Sequence, residues 1–360
     1  MIRTNLKFYI LFIIIFCYLF IYSIIKMKHK ILELYSGIGG MHCAWNESGL
    51  KGEIIMAVDV NNVANDVYKH NFPGIHLINR NIQSLTAKEI NELDVDTVLM
   101  SPPCQPFSRN GKYLDENDPR TNSFIYFINL LGHLEKINYI LMENVKGFEC
   151  STVRNLFVNK LKECNFDFQE YLLNPISVGV PNSRLRYYCL ARRNVFKWHS
   201  KEKEEIIKCL PKNYSEPFAL KEIIVNNVPD TFFVSDKLLK WANVLDICYK
   251  ESKRSCCFTK AYTHYVEGTG SVYTDLPPEE ITDYFKEANT HQVGSKEFIS
   301  SIKNMKLRFF TPTEVSSLMS FPQYYSFPDN ITLKQCYRLL GNSVNVKVIS
   351  ELLKILFDQN

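Results

Sequence analysis

The stretch Lys30–Gly49, KILELYSGIGGMHCAWNESG, changes character twice in twenty residues. KILELY is a short apolar run of strand length, SGIGG is a glycine turn, and MHCAWNESG has helix length and is closed by Gly49. A strand that feeds a helix through a glycine turn opens an α/β fold, and the N–H groups at such a helix start let a ligand approach the backbone closely. The alternation continues downstream. EIIMAVDV predicts a second strand ending in Asp59, NNVANDVYKHNF a helix, DTVLM a strand, NSFIYFINLLGHLEK a helix, and NYILMENV another strand. The pattern predicts a doubly wound, mostly parallel sheet.

From about Phe196 this order breaks up. KEKEEIIKCLPKNYSEP and TDLPPEEITDYFKEANTHQ are charged, proline-punctuated and weakly periodic, whereas LRFFTPTEVSSLMSFP and KQCYRLLGNSVNVKVISELLKILF are strongly periodic again. We read a first domain over 28–194, a second, smaller domain over 195–305, and a return to the first domain over 306–360. Residues 1–27 form a hydrophobic extension. Within it Phe8–Ile25 is uncharged, at the short end of a membrane span, and no small-residue cleavage site follows. Either this is an N-terminal anchor or the chain starts at Met27. Nothing after it looks secreted, which favours the second reading and a cytoplasmic protein, with the nucleus as a further location.

At 360 residues and 46% hydrophobic the chain has enough apolar material for a large core, and disorder is not the default. The net charge of +4 falls short of a dedicated nucleic-acid binder. Locally the balance differs: Arg184–Lys201, RLRYYCLARRNVFKWHSK, has six Lys or Arg, no acid, and four aromatic rings. That composition fits a single-strand nucleic-acid surface as well as it fits a basic edge over core aromatics. Eleven cysteines without CxxC or Cys/His spacing argue against a metal site or a disulfide framework.

Four residues carry the chemistry of a cleft. In SPPCQPFSRNGK, Ser101–Lys112, two prolines end the strand and present Cys104 at its carboxyl end, where an open α/β sheet places its reactive groups. Glu143 ends a strand expected to lie next to it, so the two can face one cleft. Arg184 and Arg186, two apart on an extended segment, would share a face. The glycine loop and Asp59 together indicate a nucleoside cofactor, the acid being placed to accept ribose hydroxyls. There is no GKS/T loop and no GxGxxG spacing, so adenosylmethionine is preferred to ATP or NAD.

The ordered series ELYSGIGG, DVN, SPPCQPFS, ENVKGF, NSRLRYY and RLLGNSVNV resembles the cytosine-5 methyltransferases over about Ile31–Phe357. CFTKAY at Cys257–Tyr262 and VEGTGS at Val266–Ser271 are similar to the eukaryotic branch that modifies position 38 of the tRNA-Asp anticodon loop. The resemblance implies a Rossmann-like S-adenosylmethionine-dependent methyltransferase sheet, with a smaller target-recognition domain. It implies Cys104 as the nucleophile on cytosine C6, with nearby positive charge expected to lower its pKa. Glu143 matches the acid facing cytosine N3, and Arg184 and Arg186 the pair that steadies the base and the cysteine loop. It assigns Tyr35, Gly37, Ile38, Gly39 and Gly40 to the adenosylmethionine pocket, Asp59 to the ribose, Asn81 and Ile82 to the adenine, Pro102 to the methyl donor's side, and Asn342 and Ser343 to the methionine end. Many DNA enzymes of the family carry Asp where this chain has Asn81. Arg192, Lys253, Arg254, Cys257, Phe258, Thr259 and Lys260 are the expected tRNA contacts. The expected partner is tRNA, with room for weak DNA binding, and the short recognition domain favours a compact RNA over chromatin. The rivals are a DNA cytosine-5 methyltransferase and a catalytically silent RNA-binding relative.

Overall fold

The computed structural model describes residues 28–104, 107, 115–193, 205–265 and 267–358. The extension 1–27, with its anchor reading, and residues 194–204 lie outside them. Five strands run parallel: β1 (His29–Leu34), β2 (Gly52–Asp59), β3 (Leu77–Asn79), β4 (Thr97–Met100) and β5 (Tyr139–Val145). Helix α1 (Gly40–Ser48) follows the glycine turn, with Gly49 in the left-handed conformation at its C-cap. Helix α2 (Asn62–Asn71) starts at Asn61, whose side chain accepts from the Val63 and Ala64 N–H groups. Helices α3 (Ala87–Glu92), α4 (Asn122–Leu130) and α5 (Thr152–Glu163) complete the crossovers. Every residue of β4 is buried, as expected of a central parallel strand covered on both faces.

Two more strands, β6 (Phe166–Leu173) and β7 (Arg186–Arg193), close the sheet in the order β3-β2-β1-β4-β5-β7-β6. The order reverses between β1 and β4, which makes the crevice at their carboxyl ends the switch point where such sheets bind ligands. Strand β7 runs antiparallel to β5, pairing Val145 with Arg186 and Glu143 with Tyr188. This reversal brings the start of β7 to the carboxyl end of β5. It also corrects the reading of the basic, aromatic stretch as far as it is described: β7 is interior, and Tyr187 and Tyr188 are buried. Arg192 is buried and donates to the Ile355 carbonyl, while Arg193 lies over the Phe166 ring at 4.5 Å. These arginines cover the sheet's far end, so Arg192 is withdrawn from the tRNA contacts.

The smaller part contains α6 (Asp236–Leu239), β8 (Asp246–Cys248), β9 (Ser271–Tyr273), α7 (Pro278–Ala288), α8 (Lys296–Lys303) and β10 (Arg308–Phe309). β10 pairs with β9, so the three-stranded sheet β10-β9-β8 extends past residue 305. The segment read as weakly periodic holds α7, started by Pro278 in its first turn with Glu279 and Glu280 beside it. Its face Ile281, Tyr284, Phe285 and Ala288 joins the core. The chain then returns through α9 (Pro312–Leu318), α10 (Leu333–Asn342) and α11 (Val346–Phe357). Phe357 of α11 packs against His29, Trp45 and Tyr139, tying the last turn to β1, α1 and β5. No helix among the described residues is long and apolar enough to cross a membrane.

Beneath the glycine turn lies a buried polar chain. Tyr68 Oη donates to Glu33 Oε2 at 2.7 Å, and His42 Nδ1 lies 2.9 Å from the Tyr68 oxygen. With the Tyr68 proton directed at Glu33, His42 Nδ1 is the donor to Tyr68. Burial pushes Glu33 up from 4.5 to about 8 and pulls His42 down from 6.5 to about 4. Folded Glu33 therefore keeps a proton that the unfolded chain releases, and its contribution to stability is lost as pH rises from the unfolded pKa through the folded one. His42 works oppositely, its contribution being lost as pH falls below 6.5 towards 4. Of this pair, only Glu33 acts between pH 6.5 and 8. The urea midpoint is expected to fall across that window, and Glu33→Gln to flatten the fall. An equally steep fall in the variant would place the titrating group elsewhere.

Candidate active site

The carboxyl ends of four parallel strands converge on one cavity of about 250 Å³. Register explains the convergence. Leu34 is opposite Met100 and Met100 opposite Met142, so the glycine turn, the cysteine loop and Glu143 leave the sheet at one level. Ser101 Oγ donates to the Tyr35 carbonyl at 3.3 Å and fastens the first two together. The lining includes Tyr35, Gly37, Ile38, Gly40, Asp59, Pro102, Asn342 and Ser343 on one side, and Cys104, Glu143, Arg184 and Arg186 on the other. A second cavity of about 290 Å³, which shares Tyr35, Asp59 and Pro103 with the first, is lined by Asn81 and Ile82.

The first half suits a nucleoside. Asp59 Oδ2 accepts from the Gly37 N–H and Oδ1 from the Asn61 N–H, both at 2.8 Å, so the acid is fixed at the end of β2. Burial pushes its pKa up, against these backbone donors. The hydroxyl of Ser36, also in the lining, is buried without a hydrogen-bond partner among the described residues. A buried hydroxyl left open in a cavity floor fits a polar ligand group, so these residues match adenosylmethionine. Gly39 does not line the cavity. It turns the chain at φ 84°, and a side chain there would run into the Phe72 ring. Asn81 serves as an N-cap, its Oδ1 accepting from the Gln83 N–H at 3.0 Å.

The second half is a cluster of charges and thiols. Glu143 is buried, with Arg186 Nε 3.5 Å from its Oε1. Burial raises its pKa, while Arg186 and Arg184 pull it down. Arg184 is not a free fork. One terminal nitrogen donates to the Phe258 carbonyl at 3.2 Å and contacts Cys257 Sγ at 3.5 Å, and the other donates to the carbonyls of Gly341 and Ser343. Arg186 also contacts Cys257 Sγ, at 3.7 Å. The expected lowering of the Cys104 thiol is not what the geometry produces. Burial, and then the Glu143 charge, push it above the ordinary cysteine value, outweighing the two arginines. Cys257 differs: burial pushes it up, but Arg184 and Arg186 outweigh that and hold it below the ordinary value. Beyond Cys104, the Phe107 ring meets Phe148 edge-on at 5.0 Å. Further on, the Asp115 carboxylate accepts from the Thr152 and Val153 N–H groups at the start of α5.

The expected tRNA contacts separate. Lys260 is exposed; Lys253 and Arg254 are exposed but paired, with Glu216 at 2.8 Å and Asp246 at 2.6 Å. Thr259 is half-buried, its N–H donating to the Thr269 carbonyl. The Phe258 side chain is a core group, edge-on to Tyr262 and Phe310, so only its carbonyl reaches the site. Sequence reasoning missed Val60, which lines both cavities beside Asp59, and the apolar walls Met41, Leu339 and Val344. It also missed Gly341. A Cβ there would overlap the Lys260 nitrogen and the Thr259 carbonyl carbon, so the absent side chain lets the smaller part close onto α10. Among the described residues no group of His, Cys, Asp and Glu could hold a metal ion.

A parallel sheet with an antiparallel β7 inserted between β5 and β6, and a nucleoside pocket opening onto a strand-end cysteine, define a Rossmann-like adenosylmethionine-dependent methyltransferase. The chain belongs to the C-5 cytosine-specific DNA methylase family, whose pattern matches residues 29–358. It is 66% identical to a tRNA (cytosine(38)-C(5))-methyltransferase of Spodoptera frugiperda, over 92% of this chain and 100% of that one. A Bos taurus protein of the same name is 39% identical over 91% of this chain and 99% of its own length. The fold superposes on a crystal structure of a mutant S. frugiperda DNMT2 with a TM-score of 0.87 and 64% identity, covering 92% of this chain and 100% of that one.

The charge cluster predicts how Cys104 reacts. The Glu143 carboxylate opposes the Cys104 thiolate, so Glu143→Gln is expected to move the pH midpoint of Cys104 alkylation down. Arg186→Gln removes a favourable charge and should move it up. Peptide-resolved iodoacetamide labelling against pH reads both, and a midpoint that both variants leave in place would show that neither charge faces the thiol.

Proposed function

We propose that the chain transfers a methyl group from adenosylmethionine to C5 of a cytosine in tRNA, with cytosine 38 in the anticodon loop of tRNA-Asp as the target. The observation that carries this is the single cavity shared by the nucleoside-binding turn and the Cys104–Glu143–Arg186 cluster. The names of the similar proteins support tRNA as the substrate. An anticodon-loop base is already partly unpaired, which lowers the cost of swinging it into a buried cavity relative to duplex DNA.

Cytosine C5 is a weak nucleophile. Addition of the Cys104 thiolate to C6 breaks the C5–C6 double bond and pushes its electron pair towards C5 and N3. Glu143 faces N3 and, held high by burial, carries the proton that neutralises the charge arriving there. Arg186 stabilises the Glu143 carboxylate when that proton has left. Arg184 acts as a positioning residue, bracing Ser343 and Phe258 around the base. Tyr35, Gly37, Asp59, Ile82, Asn342 and Ser343 would hold adenosylmethionine, which supplies an electrophilic methyl group and leaves as adenosylhomocysteine. Loss of the C5 proton to water restores the double bond and expels Cys104 as thiolate, while N3 returns its proton to Glu143.

The test uses this chain, labelled adenosylmethionine, and total tRNA beside duplex DNA, with the product mapped to single bases. Label is expected at one anticodon-loop cytosine, falling by at least about 10³-fold in Cys104→Ala while adenosylmethionine binding persists. Label confined to duplex DNA would overturn the substrate, and transfer surviving Cys104→Ala would overturn the nucleophile.

A further inference from the structure

The turn that follows Cys257 and Phe258 is anchored on its buried side. Tyr262 Oη donates to the Ser271 carbonyl at 2.6 Å and accepts from the Phe310 N–H at 2.8 Å. Lys260 packs its backbone on Gly341, two residues before Ser343 of the cavity lining. From this base the chain is driven outward by Thr263, which sits at φ 70°. A β-branched residue in the left-handed region is strained, and such strain persists only where the surroundings enforce it. Its effect is to present two adjacent aromatic rings to solvent. Tyr265 is 62% exposed, and His264, also exposed, meets it edge-on at 4.6 Å. The backbone beneath is fixed: Tyr265 N–H donates to the Ala261 carbonyl at 3.2 Å, and its own carbonyl accepts from Thr269 Oγ1 at 2.6 Å. A rigid backbone holding a large ring in water does nothing for the fold, since exposed aromatic surface contributes no burial.

We propose that the Tyr265 ring is a stacking platform for an unpaired base of the RNA substrate, beside the target base at the cavity mouth. The inference rests on the tRNA reading above. The Tyr265 N–H bond to the Ala261 carbonyl folds the turn back, so the Tyr265 backbone lies against the residue that follows Lys260 at the Gly341 contact. Single-stranded nucleic acid is held by this pairing of components: a ring on which a base stacks, and a nearby cation for the phosphate. Tyr265 provides the first and exposed Lys260 the second. The T-shaped contact with His264, at 77° between the planes, covers no more than one face of the ring.

The experiment uses the whole chain and a tRNA-Asp anticodon stem–loop RNA carrying 2-aminopurine next to the target cytosine. Base-on-ring stacking contributes about 1–3 kcal/mol, so Tyr265→Ala should weaken RNA binding roughly 5- to 150-fold. The salt dependence of binding and the affinity for adenosylmethionine should stay unchanged, and 2-aminopurine quenching should disappear. Tyr265→Phe and Tyr265→Trp should retain tight binding. Lys260→Ala should instead reduce the salt slope by about one. If Tyr265→Ala binds RNA as tightly as the unaltered chain, or Phe fails to rescue it, the platform is refuted while methylation of tRNA by the unaltered chain leaves the substrate reading standing. If the unaltered chain methylates only duplex DNA, both fall together.

Discussion

The site depends on one buried guanidinium. Arg184 sits just before β7 and reaches Phe258 in the smaller part and Gly341 and Ser343 at the end of α10. The three carbonyls come from two segments far apart in sequence, and each needs a donor once it is buried. A planar fork meets several acceptors at fixed angles, which a lysine ammonium does not. Burying a cation is costly unless it is compensated, so the arrangement is stable only while all three carbonyls are in place. The cavity is thus a product of closure. Gly341 allows the approach, Arg184 fastens it, and Ser343 and Cys257 are delivered to the site as a result.

Much of the first sheet could be read from the sequence because its signals are local. KILELY, EIIMAVDV and DTVLM are apolar runs bounded by a turn or a proline, and the carboxyl end of a parallel strand is the same place whichever strand carries it. Cys104 and Glu143 could therefore be placed together before any distance was known. β7 could not. Whether RLRYYCLARR lines an edge or an interior depends on its pairing with β5 and β6, which are more than a dozen residues away and leave no trace in its composition. Of the two readings open for that stretch, the nucleic-acid surface does not hold for Arg192 and Arg193 for this reason, since both lie over the sheet. Helix α7 was missed for a different one. Its first turn is Pro-Glu-Glu, which reads as a loop when proline is weighed without its position, whereas proline and acids belong in a first turn. Gly341 was invisible because a close approach by a segment some eighty residues away has no local signature.

The charge balance of the reacting half follows from the same closure. Two guanidiniums face three groups that can carry negative charge: Glu143, Cys257 and Cys104. Cys257 touches both arginines and takes the larger share, which is why its thiol is held down while that of Cys104 is pushed up. Positive charge is scarce in this pocket. Any change that removes a negative charge from the cluster therefore leaves more for Cys104.

Glu143 is the group whose charge can be removed. Burial already favours its neutral form, and a cytosine placed with N3 against it provides a reason to hold a proton there. Once Glu143 is neutral, the largest influence on Cys104 after burial is gone, and Arg186 is no longer divided between a carboxylate and a thiol. The proton that offsets charge on the base therefore also lowers the cost of ionising the nucleophile. On this reading Cys104 stays a thiol until a base occupies the cavity. The site thus ties ionisation of Cys104 to the charge on one buried acid.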